Sequence, residues 1–385
     1  MPADQKSSAL LPAGLHDVLP PEAAHEAAAV QRLLSEFAGL GYERVDPPLM
    51  EFEDNLLSGS GAAMANQTFR LMDPLSQRMM AVRADITPQI ARVASTRLRN
   101  EARPVRLCYA GQVLRVKGSH LRPERQVTQV GVELIGALEP EADAEVVLLA
   151  VQALDAVGVR HLSVDLCVPT MVPLVCRGLG LGEEEAQGLR AALDRKDAAA
   201  VAAFGGEAAT LLQALMSASG PADRAIQALS SLTLPAMAEK DRRRLTEVVR
   251  LLRAGRPDLT VTVDLVEHRG FEYQTGVSFT LFARGVRGEL GGGGRYRIGV
   301  THADDEGEPA TGFSLYMDTL LRAVPAPEAP RRVYVPHGAG PAAAKLRAEG
   351  WVTVAGLAPA ADPAAEARRL HCGHVLADGV VKPVG

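Results

Sequence analysis

Apolar and polar residues alternate along two neighbouring stretches of this chain, Arg106–Val116 and Gln126–Ile135. A period of two is typical of strands that bury one face. The stretches are separated by the charged segment Lys117–Glu124, in which Gly118 and Pro123 disfavour regular structure. The pattern therefore predicts two strands joined by a basic loop, and the rest of the chain is interpreted around this unit.

The second strand carries polar residues that should share one face. Gln129, Gly131 and Glu133 are two positions apart, and side chains at i, i+2 and i+4 project from the same side of a strand. A buried amide and carboxylate are costly unless polar groups pair with them. We therefore expect either another part of the protein or a small cationic ligand against this face.

Further periodic segments predict a mixed order of helices and strands around this unit. Helices are expected at Pro21–Leu40, at Thr87–Leu98 with Thr87 as its cap, and at Ala142–Val157. Strands are expected at Tyr42–Met50, in a hairpin over Asn66–Val82, at His161–Cys167 and Leu259–Glu267, and in a second hairpin of Val277–Ala283 with Val286–Leu290.

Changes in composition predict two domains. From about residue 170 to 258, Ala, Leu, Glu and Arg dominate and glycines interrupt, which indicates a helical insertion. Pro325–Pro330 reads as a linker, and residues 331–385 alternate between strand and helix patterns. We expect a first domain over residues 1–330, with the insertion inside it, and a small α/β domain over residues 331–385.

Composition narrows the class of protein. The chain has 385 residues, of which 47% are hydrophobic and 23% charged, as in ordinary globular proteins. A net charge of −5 argues against a protein that wraps nucleic acid. The four cysteines show no CxxC spacing, so neither a metal site nor a disulfide is expected, and without an apolar run long enough to span a membrane we expect a cytoplasmic protein.

The central unit resembles motif 2 of the class II aminoacyl-tRNA synthetases, most closely the histidyl-tRNA synthetases. Gly111–Arg115 matches the end of its first strand, and Arg125–Glu133 matches the second strand. Leu114 and Val127 stand where that family prefers Phe. The resemblance implies an α+β fold, with an antiparallel sheet flanked by helices, a helical insertion and a small C-terminal α/β domain.

Other motifs of the same family follow along the chain. Arg83–Gln89 resembles the segment whose acid and threonine hold the amino group of the amino acid, here Asp85 and Thr87. Arg269–Gly276 resembles the histidine-specific motif, with Gln274 in place of its second Tyr. The run Gly291–Gly294, followed by Arg295 and Tyr296, resembles the family's glycine motif, which lets backbone approach a nucleotide closely.

The third class II motif is altered. The motif corresponds to Thr311–Leu321, where Gly312 and Phe313 match it. Asp318 stands in place of the arginine that lies over ATP, and the bulky Tyr316 stands in place of a glycine. A carboxylate repels a triphosphate that an arginine would attract, so activation of an amino acid by ATP should fail. The C-terminal domain resembles a shortened anticodon-binding domain without a basic face.

A chain that keeps a synthetase-like pocket but lacks the ATP arginine resembles the regulatory subunits of ATP phosphoribosyltransferase. These are paralogues of histidyl-tRNA synthetases that act in histidine biosynthesis. The resemblance implies a non-catalytic protein without a cofactor that activates a short catalytic subunit and mediates feedback inhibition by histidine. It also implies a homodimer within a hetero-octamer, and no tRNA or membrane partner. An active histidyl-tRNA synthetase and a stand-alone histidine sensor remain alternatives.

The resemblance assigns seven residues to a histidine pocket. The ammonium group is expected on Asp85, Thr87 and Gln129, the carboxylate on Arg115 or Arg269, and the imidazole on Glu133, with Tyr273 also in the pocket. The alternative is that Glu133 and Arg269 only form a buried ion pair.

Overall fold

The structure, a computed structural model, describes residues 11–57, 59–118, 122–267, 274–299 and 307–385, and gives only the backbone at residues 59, 60, 62 and 63. The chain forms two compact units, Met1–Pro325 and Ala326–Gly385. Within the described ranges, no helix is long and apolar enough to cross a membrane.

Among the described residues, eleven α-helices lie in the first unit and two in the second, alongside a 3-10 helix at Gly59–Gln67. In chain order they are α1 Glu22–Gly39, α2 Glu53–Leu56, α3 Thr87–Thr96, α4 Pro140–Ala156, α5 Met171–Gly178, α6 Glu183–Asp194, α7 Ala198–Ala203, α8 Gly206–Ala218, α9 Ala222–Ser230, α10 Glu239–Gly255, α11 Met317–Leu320, α12 Gly340–Ala348 and α13 Pro363–Arg369.

Sixteen strands are described. They are β1 Glu43–Arg44, β2 Met50–Phe52, β3 Arg70–Met72, β4 Met79–Val82, β5 Val105–Leu114, β6 Gln126–Ile135, β7 Leu162–Cys167, β8 Gly220–Pro221, β9 Thr260–Asp264, β10 Gln274–Ala283, β11 Gly291–Ile298, β12 Glu308–Tyr316, β13 Arg332–Val335, β14 Val352–Ala355, β15 His374–Ala377 and β16 Val380–Pro383.

The first unit is built on a nine-stranded sheet in the order β1-β5-β6-β12-β11-β10-β7-β9-β8. Its six middle strands, from β5 to β7, pair antiparallel, whereas β1 pairs parallel with β5 and β9 parallel with β7. The sheet is thus mixed, although an antiparallel one was expected. A separate three-stranded sheet contains the predicted hairpin, with β4 between β2 and β3.

Nearly all residues of strand β6 are buried, because both faces of the sheet are covered at this strand. Val130, Val132 and Leu134 face the core that α1 and α4 cover, where Phe37 of α1 meets Phe313 edge-on at 5.7 Å between ring centroids. The alternate residues of β6 face α3. The polar side chains of this strand therefore point into the layer between the sheet and α3.

Two predicted features of the N-terminal half are wrong. The strand expected over Tyr42–Met50 is interrupted, because Pro47 and Pro48 cannot donate ladder hydrogen bonds, and only β1 and β2 form. Thr87 does not cap α3; it is the first helical residue, and its backbone N–H donates to Oδ1 of Asp85 at 2.8 Å.

The predicted second hairpin is also wrong in its second strand. The partner of β10 is not Val286–Leu290 but β11, which contains the glycine run itself. A Cβ built on Gly291 or Gly293 would overlap with carbonyl oxygens of the neighbouring β12. Glycine is needed here because the two strands approach unusually closely, so the run is extended backbone and not a loop.

Between β7 and β9 the chain forms the helices α5 to α10. The short strand β8 lies between α8 and α9 and is the one strand in this segment. A buried carboxylate, Asp143 of α4, joins this helical region to the sheet. It accepts hydrogen bonds from Arg295 of β11 and Arg244 of α10, both at 2.8 Å. Arg295 also donates to the carbonyl of Ala137. The arginine of the glycine motif thus has a structural role, on the opposite side of the sheet from Glu133.

The second unit has a four-stranded sheet in the order β14-β13-β15-β16. Helix α12 packs with one hydrophobic cluster around Val333 and Leu346, and α13 packs with another around Tyr334 and Ala367. The last predicted strand is divided into β15 and β16 by a tight turn. Asp378 and Gly379 in this turn both have positive φ, 54° and 75°, as the preferred two-residue hairpin turn requires.

Candidate functional site

Strand register builds the polar surface beneath α3. Gln129 of β6 lies between Gly111 of β5 and Tyr316 of β12, and two residues later Gly131 lies between Tyr109 and Ser314. Glu133 follows, with Gly312 opposite it on β12. Polar groups from three strands therefore meet around a line of glycines, as the spacing on β6 predicted for Gln129 and Glu133.

Gln129 links the sheet to the segment that precedes α3. Its fully buried amide donates to Oδ1 of Asp85 at 2.9 Å and to Oγ of Ser314 at 2.7 Å, and its oxygen accepts from the backbone N–H of Ile86 at 3.0 Å. Because Oδ1 of Asp85 also accepts from the backbone of Thr87, this carboxylate is fixed in orientation.

A buried arginine holds the same segment in place. Arg83 donates to the carbonyls of Gln112 and Pro47, each at 2.8 Å. These bonds tie the chain just before Asp85 to β5 and to the proline-rich segment after β1. Hydrogen bonds therefore anchor the chain on both sides of Asp85, at Arg83 before it and at Ile86 after it.

Glu133 is enclosed by hydroxyl groups. Tyr296 donates to its Oε2 at 2.7 Å and Tyr109 to its Oε1 at 3.4 Å, while Tyr109 also shares hydrogen bonds with Thr87 and Ser314. Burial raises the pKa of Glu133 from 4.5 to about 8. The negative charge of Asp85 also raises this pKa, whereas the hydrogen bonds from the hydroxyl groups lower it. Near neutral pH the carboxyl group is therefore largely protonated when no cation lies beside it.

Glycines leave the space that the Glu133 carboxylate fills. A Cβ on Gly312 would overlap with Oε2 of Glu133, and one on Gly131 would crowd the Tyr109 hydroxyl. The cleft bordered by Thr87, Glu133 and the strands β11 and β12 has a free volume of about 20 Å³. This is room for roughly one water molecule, so a larger ligand enters only when neighbouring side chains move.

Arg115 contacts Tyr316, the residue of β12 that pairs with Gln129. The centre of its guanidinium group is 4.9 Å from the centroid of the Tyr316 ring, and Arg122 lies over the same ring at 4.2 Å. Burial lowers the pKa of Arg115, but Tyr316, Asp85 and Asp318 together hold it above its usual value. Arg115 is therefore a stable positive charge next to the cluster.

The structure brings together five of the seven residues assigned from sequence. Asp85, Thr87, Gln129 and Glu133 belong to one hydrogen-bonded network, and Arg115 lies next to it through Tyr316. Arg269 and Tyr273 lie outside the described residues, and so does the alternative ion pair between Arg269 and Glu133.

The sequence interpretation missed three residues of this network, Tyr109, Tyr296 and Ser314. Tyr109 and Ser314 are the two cross-strand neighbours of Gly131, and Tyr296 ends the glycine motif. Alternation along the first strand could have placed Tyr109 on the polar face. The other two required the register between β6, β12 and β11, which a single sequence does not provide.

The cluster has the chemistry of a binding site for an amino acid. It offers carboxylates and amide or hydroxyl oxygens to an ammonium group, a guanidinium to a carboxylate, and a buried carboxyl group to a ring N–H. Across the described ranges, no three His, Cys, Asp or Glu residues are arranged to hold a metal ion.

Comparisons with known proteins show which family and fold the chain resembles. The sequence model of the histidyl-tRNA synthetase family matches residues 14–320. An ATP phosphoribosyltransferase regulatory subunit of Rhodospirillum centenum is 62% identical over 98% of this chain and 97% of its own, and that of Paramagnetospirillum magneticum is 56% identical over 98% and 99%.

A solved structure from Bacillus halodurans, described as an ATP phosphoribosyltransferase regulatory subunit/histidyl-tRNA synthetase, is also similar. It superposes with a TM-score of 0.78 at 25% identity, over 93% of this chain and 96% of that one.

Proposed function

The chain belongs to the family of ATP phosphoribosyltransferase regulatory subunits, and we propose that it binds histidine and, with histidine bound, inhibits a separate catalytic subunit. The fold is that of the histidyl-tRNA synthetases. In this proposal the chain activates a short catalytic subunit that joins ATP to phosphoribosyl pyrophosphate. The chain itself catalyses no reaction.

One observation carries the proposal: the buried network that joins Asp85, Gln129 and Glu133 on the synthetase-like sheet. Histidine has an ammonium, a carboxylate and an imidazole group. Asp85, Thr87 and Gln129 supply acceptors for the ammonium, and Arg115 supplies a cation for the carboxylate. Arg269 and Tyr273 complete the proposed pocket as the family resemblance implies.

Glu133 is the residue proposed to recognise the imidazole. A carboxylate with two buried tyrosine donors retains acceptor capacity for a ring N–H. When an imidazole N–H or an imidazolium approaches, the ionised form of Glu133 becomes favourable, which offsets the burial that raises its pKa.

The same residues argue against synthetase activity. Tyr316, whose ring contacts both Arg115 and Arg122, is a bulky residue where the motif has glycine, and the carboxylate of Asp318 acts electrostatically on Arg115. A bound triphosphate would meet this carboxylate without the arginine that the third motif normally supplies. We therefore propose that ATP is not activated here, and that no tRNA is bound.

The remaining parts of the proposal concern assembly. We propose a homodimer that joins the catalytic subunit in a hetero-octamer, in the cytoplasm where amino acids are made. The family name of the relatives supports a partner subunit. The stoichiometry rests on the family resemblance alone.

Reconstitution with the catalytic subunit tests the proposal. We expect no phosphoribosyl transfer by the purified chain alone, a rise in the activity of a short catalytic subunit on mixing, and inhibition of the complex by histidine. Sizing chromatography of the mixture should show a complex larger than either component.

Two results would contradict this function. One is unchanged activity of the catalytic subunit together with separate elution of the two proteins. The other is robust histidine-dependent exchange of pyrophosphate into ATP by the chain, which would return it to the active synthetases.

A further inference from the structure

The hydroxyl group of Ser314 connects the two halves of the buried polar network. Ser314 is a buried residue of β12. Its Oγ has two described partners, Nε2 of Gln129 at 2.7 Å and the hydroxyl of Tyr109 at 3.0 Å. Through these two contacts it joins the side of the network around Asp85 to the side around Glu133.

The amide group of Gln129 has a fixed orientation. Its oxygen accepts from the backbone N–H of Ile86 at 3.0 Å, and a backbone N–H can only donate. The amide nitrogen therefore faces Asp85 and Ser314, at 2.9 and 2.7 Å, and donates one hydrogen to each. Ser314 is thus the acceptor in its bond with Gln129, and its own hydrogen remains to be donated.

This direction continues through the next hydroxyl group. Among the described contacts of Ser314, Tyr109 is the group that can take the remaining hydrogen. Tyr109 can also accept from Thr87 at 3.2 Å, and it then donates its own hydrogen to Oε1 of Glu133 at 3.4 Å. Every hydrogen is paired in this arrangement. If Tyr109 donated to Ser314 instead, the hydrogen of Ser314 would be buried without an acceptor, which is unfavourable.

A series of hydrogen bonds with this direction prepares Glu133 to accept. Tyr109 presents a hydrogen to one carboxyl oxygen of Glu133, and Tyr296 donates to the other. Donors on both oxygens favour the carboxylate, which can accept a ligand N–H but cannot donate to a ligand. The distance from Tyr109 is long for a hydroxyl donor, and it should shorten when Glu133 is ionised, because bonds to charged acceptors are shorter.

We propose that Ser314 is a positioning residue that sets the ring specificity of the pocket. By donating to Tyr109 it keeps the Tyr109 hydrogen directed at Glu133, so that Glu133 selects a ring with an N–H donor over a ring that can only accept. This inference rests on the proposed function, because it takes Glu133 as the group that recognises the imidazole. The ligand class that it selects is an amino acid with an N–H-bearing azole ring.

The test is calorimetric titration of the purified chain with histidine and with thiazolylalanine, whose ring is close in size to imidazole and has an accepting nitrogen but no N–H. We expect the parent to prefer histidine. Ser314→Ala should reduce the ratio of the two affinities by about fivefold, the effect of one hydrogen bond. A merely structural role of Ser314 would weaken binding of both ligands by the same factor and leave the ratio unchanged.

Thr311→Val is the matched control on the same strand. The hydroxyl of Thr311 is buried without a partner in the described structure, and its residue pairs with Leu134, which faces the core on the other side of the sheet. Its removal should leave the ratio within about twofold of the parent.

A double-variant cycle tests the route from Ser314 to Glu133. Tyr109→Phe lacks the hydroxyl between them, so adding Ser314→Ala to it should change the affinity ratio no further. Ser314→Cys serves if the alanine variant fails to fold, as judged by thermal unfolding, because a thiol is only a weak donor.

Three results would overturn the positioning role while histidine binding by the parent still stands. They are equal affinities of the parent for the two ligands, an unchanged ratio in Ser314→Ala, and a further change of the ratio in the Tyr109→Phe background. A parent chain that binds no histidine would overturn this role and the effector role together.

Discussion

Glu133 is a carboxyl group whose protonation depends on what lies beside it. Its position on the polar face of β6 follows from alternation, and the register places it as predicted. The tyrosine donors on β5 and β11 were not predicted, because their approach depends on strand order. Its chemistry as a buried, proton-sensitive acceptor therefore emerges only from the fold.

The raised pKa of Glu133 predicts a specific dependence of stability on pH. Since the folded-state pKa is about 8 against an ordinary 4.5, the folded chain binds the proton more tightly than the unfolded chain. Its contribution is fully present below about pH 4.5 and is lost as the pH rises through about 8. Glu133→Gln removes this titration while keeping the shape.

We expect the stability advantage of the parent over Glu133→Gln to fall by on the order of 2 kcal/mol between pH 6 and pH 9, without histidine. Urea unfolding of both chains at each pH measures it. If the two stabilities follow parallel courses with pH, Glu133 does not titrate in this range and its environment is misassigned.

At the scale of elements, glycine-lined strands make the room for the pocket. The side of β12 that faces Glu133 carries Gly312, and β11 next to it contributes the glycine run. These positions are extended strand, and their lack of side chains lets neighbouring strands and the Glu133 carboxylate share one layer. The packing of these strands and the proposed effector site therefore depend on the same residues.

Gly312→Ala should separate effector response from assembly. The new methyl group overlaps with Oε2 of Glu133 and with the backbone carbonyl of Val132, so that the carboxyl group and the local backbone both shift, at a cost of about 1–3 kcal/mol or more for overpacking. We expect loss of histidine inhibition while the catalytic subunit is still bound and activated. Denaturant unfolding and the inhibition curve of the reconstituted complex measure the two effects.

Gly39→Ala is the control, because a Cβ at this end of α1 meets nothing within 4 Å. It should leave both measurements close to those of the parent. A Gly312→Ala complex that responds to histidine like the parent would show that Glu133 does not need its present position.

Periodicity was reliable for elements with a clear one-sided pattern. The bounds of β6 agree with the prediction, and the hairpin of β3 and β4 was expected. It failed where a local signal competes with packing. Pro47 and Pro48 interrupt a strand, Thr87 enters the helix it was expected to cap, and the glycine run takes the place of Val286–Leu290 as the partner strand of β10. Glycine signals a loop by propensity, and only the close neighbour β12 explains it here.

In the complete protein, we propose that an amino-acid pocket of synthetase type serves as an effector site. The fold and the family support this architecture, and the polar network provides the chemistry. The chain's net charge of −5 gives no sign of the basic surface that binding to a nucleic-acid backbone usually requires. Inhibition of the complete complex by histidine depends on both the pocket and the partner subunit, so one measurement reports on both.

The most direct test is the histidine inhibition curve of the complex assembled with Glu133→Gln. The control is Glu145→Gln, which removes a carboxylate that accepts from Arg106 and Tyr42. Loss of a hydrogen bond to a charged group is worth on the order of 1.5–3 kcal/mol, so the half-inhibitory concentration should rise about tenfold or more for Glu133→Gln alone. Activation of the catalytic subunit should persist in both variants. If the Glu133→Gln complex retains the parent's inhibition curve, histidine binds elsewhere and the central claim is wrong.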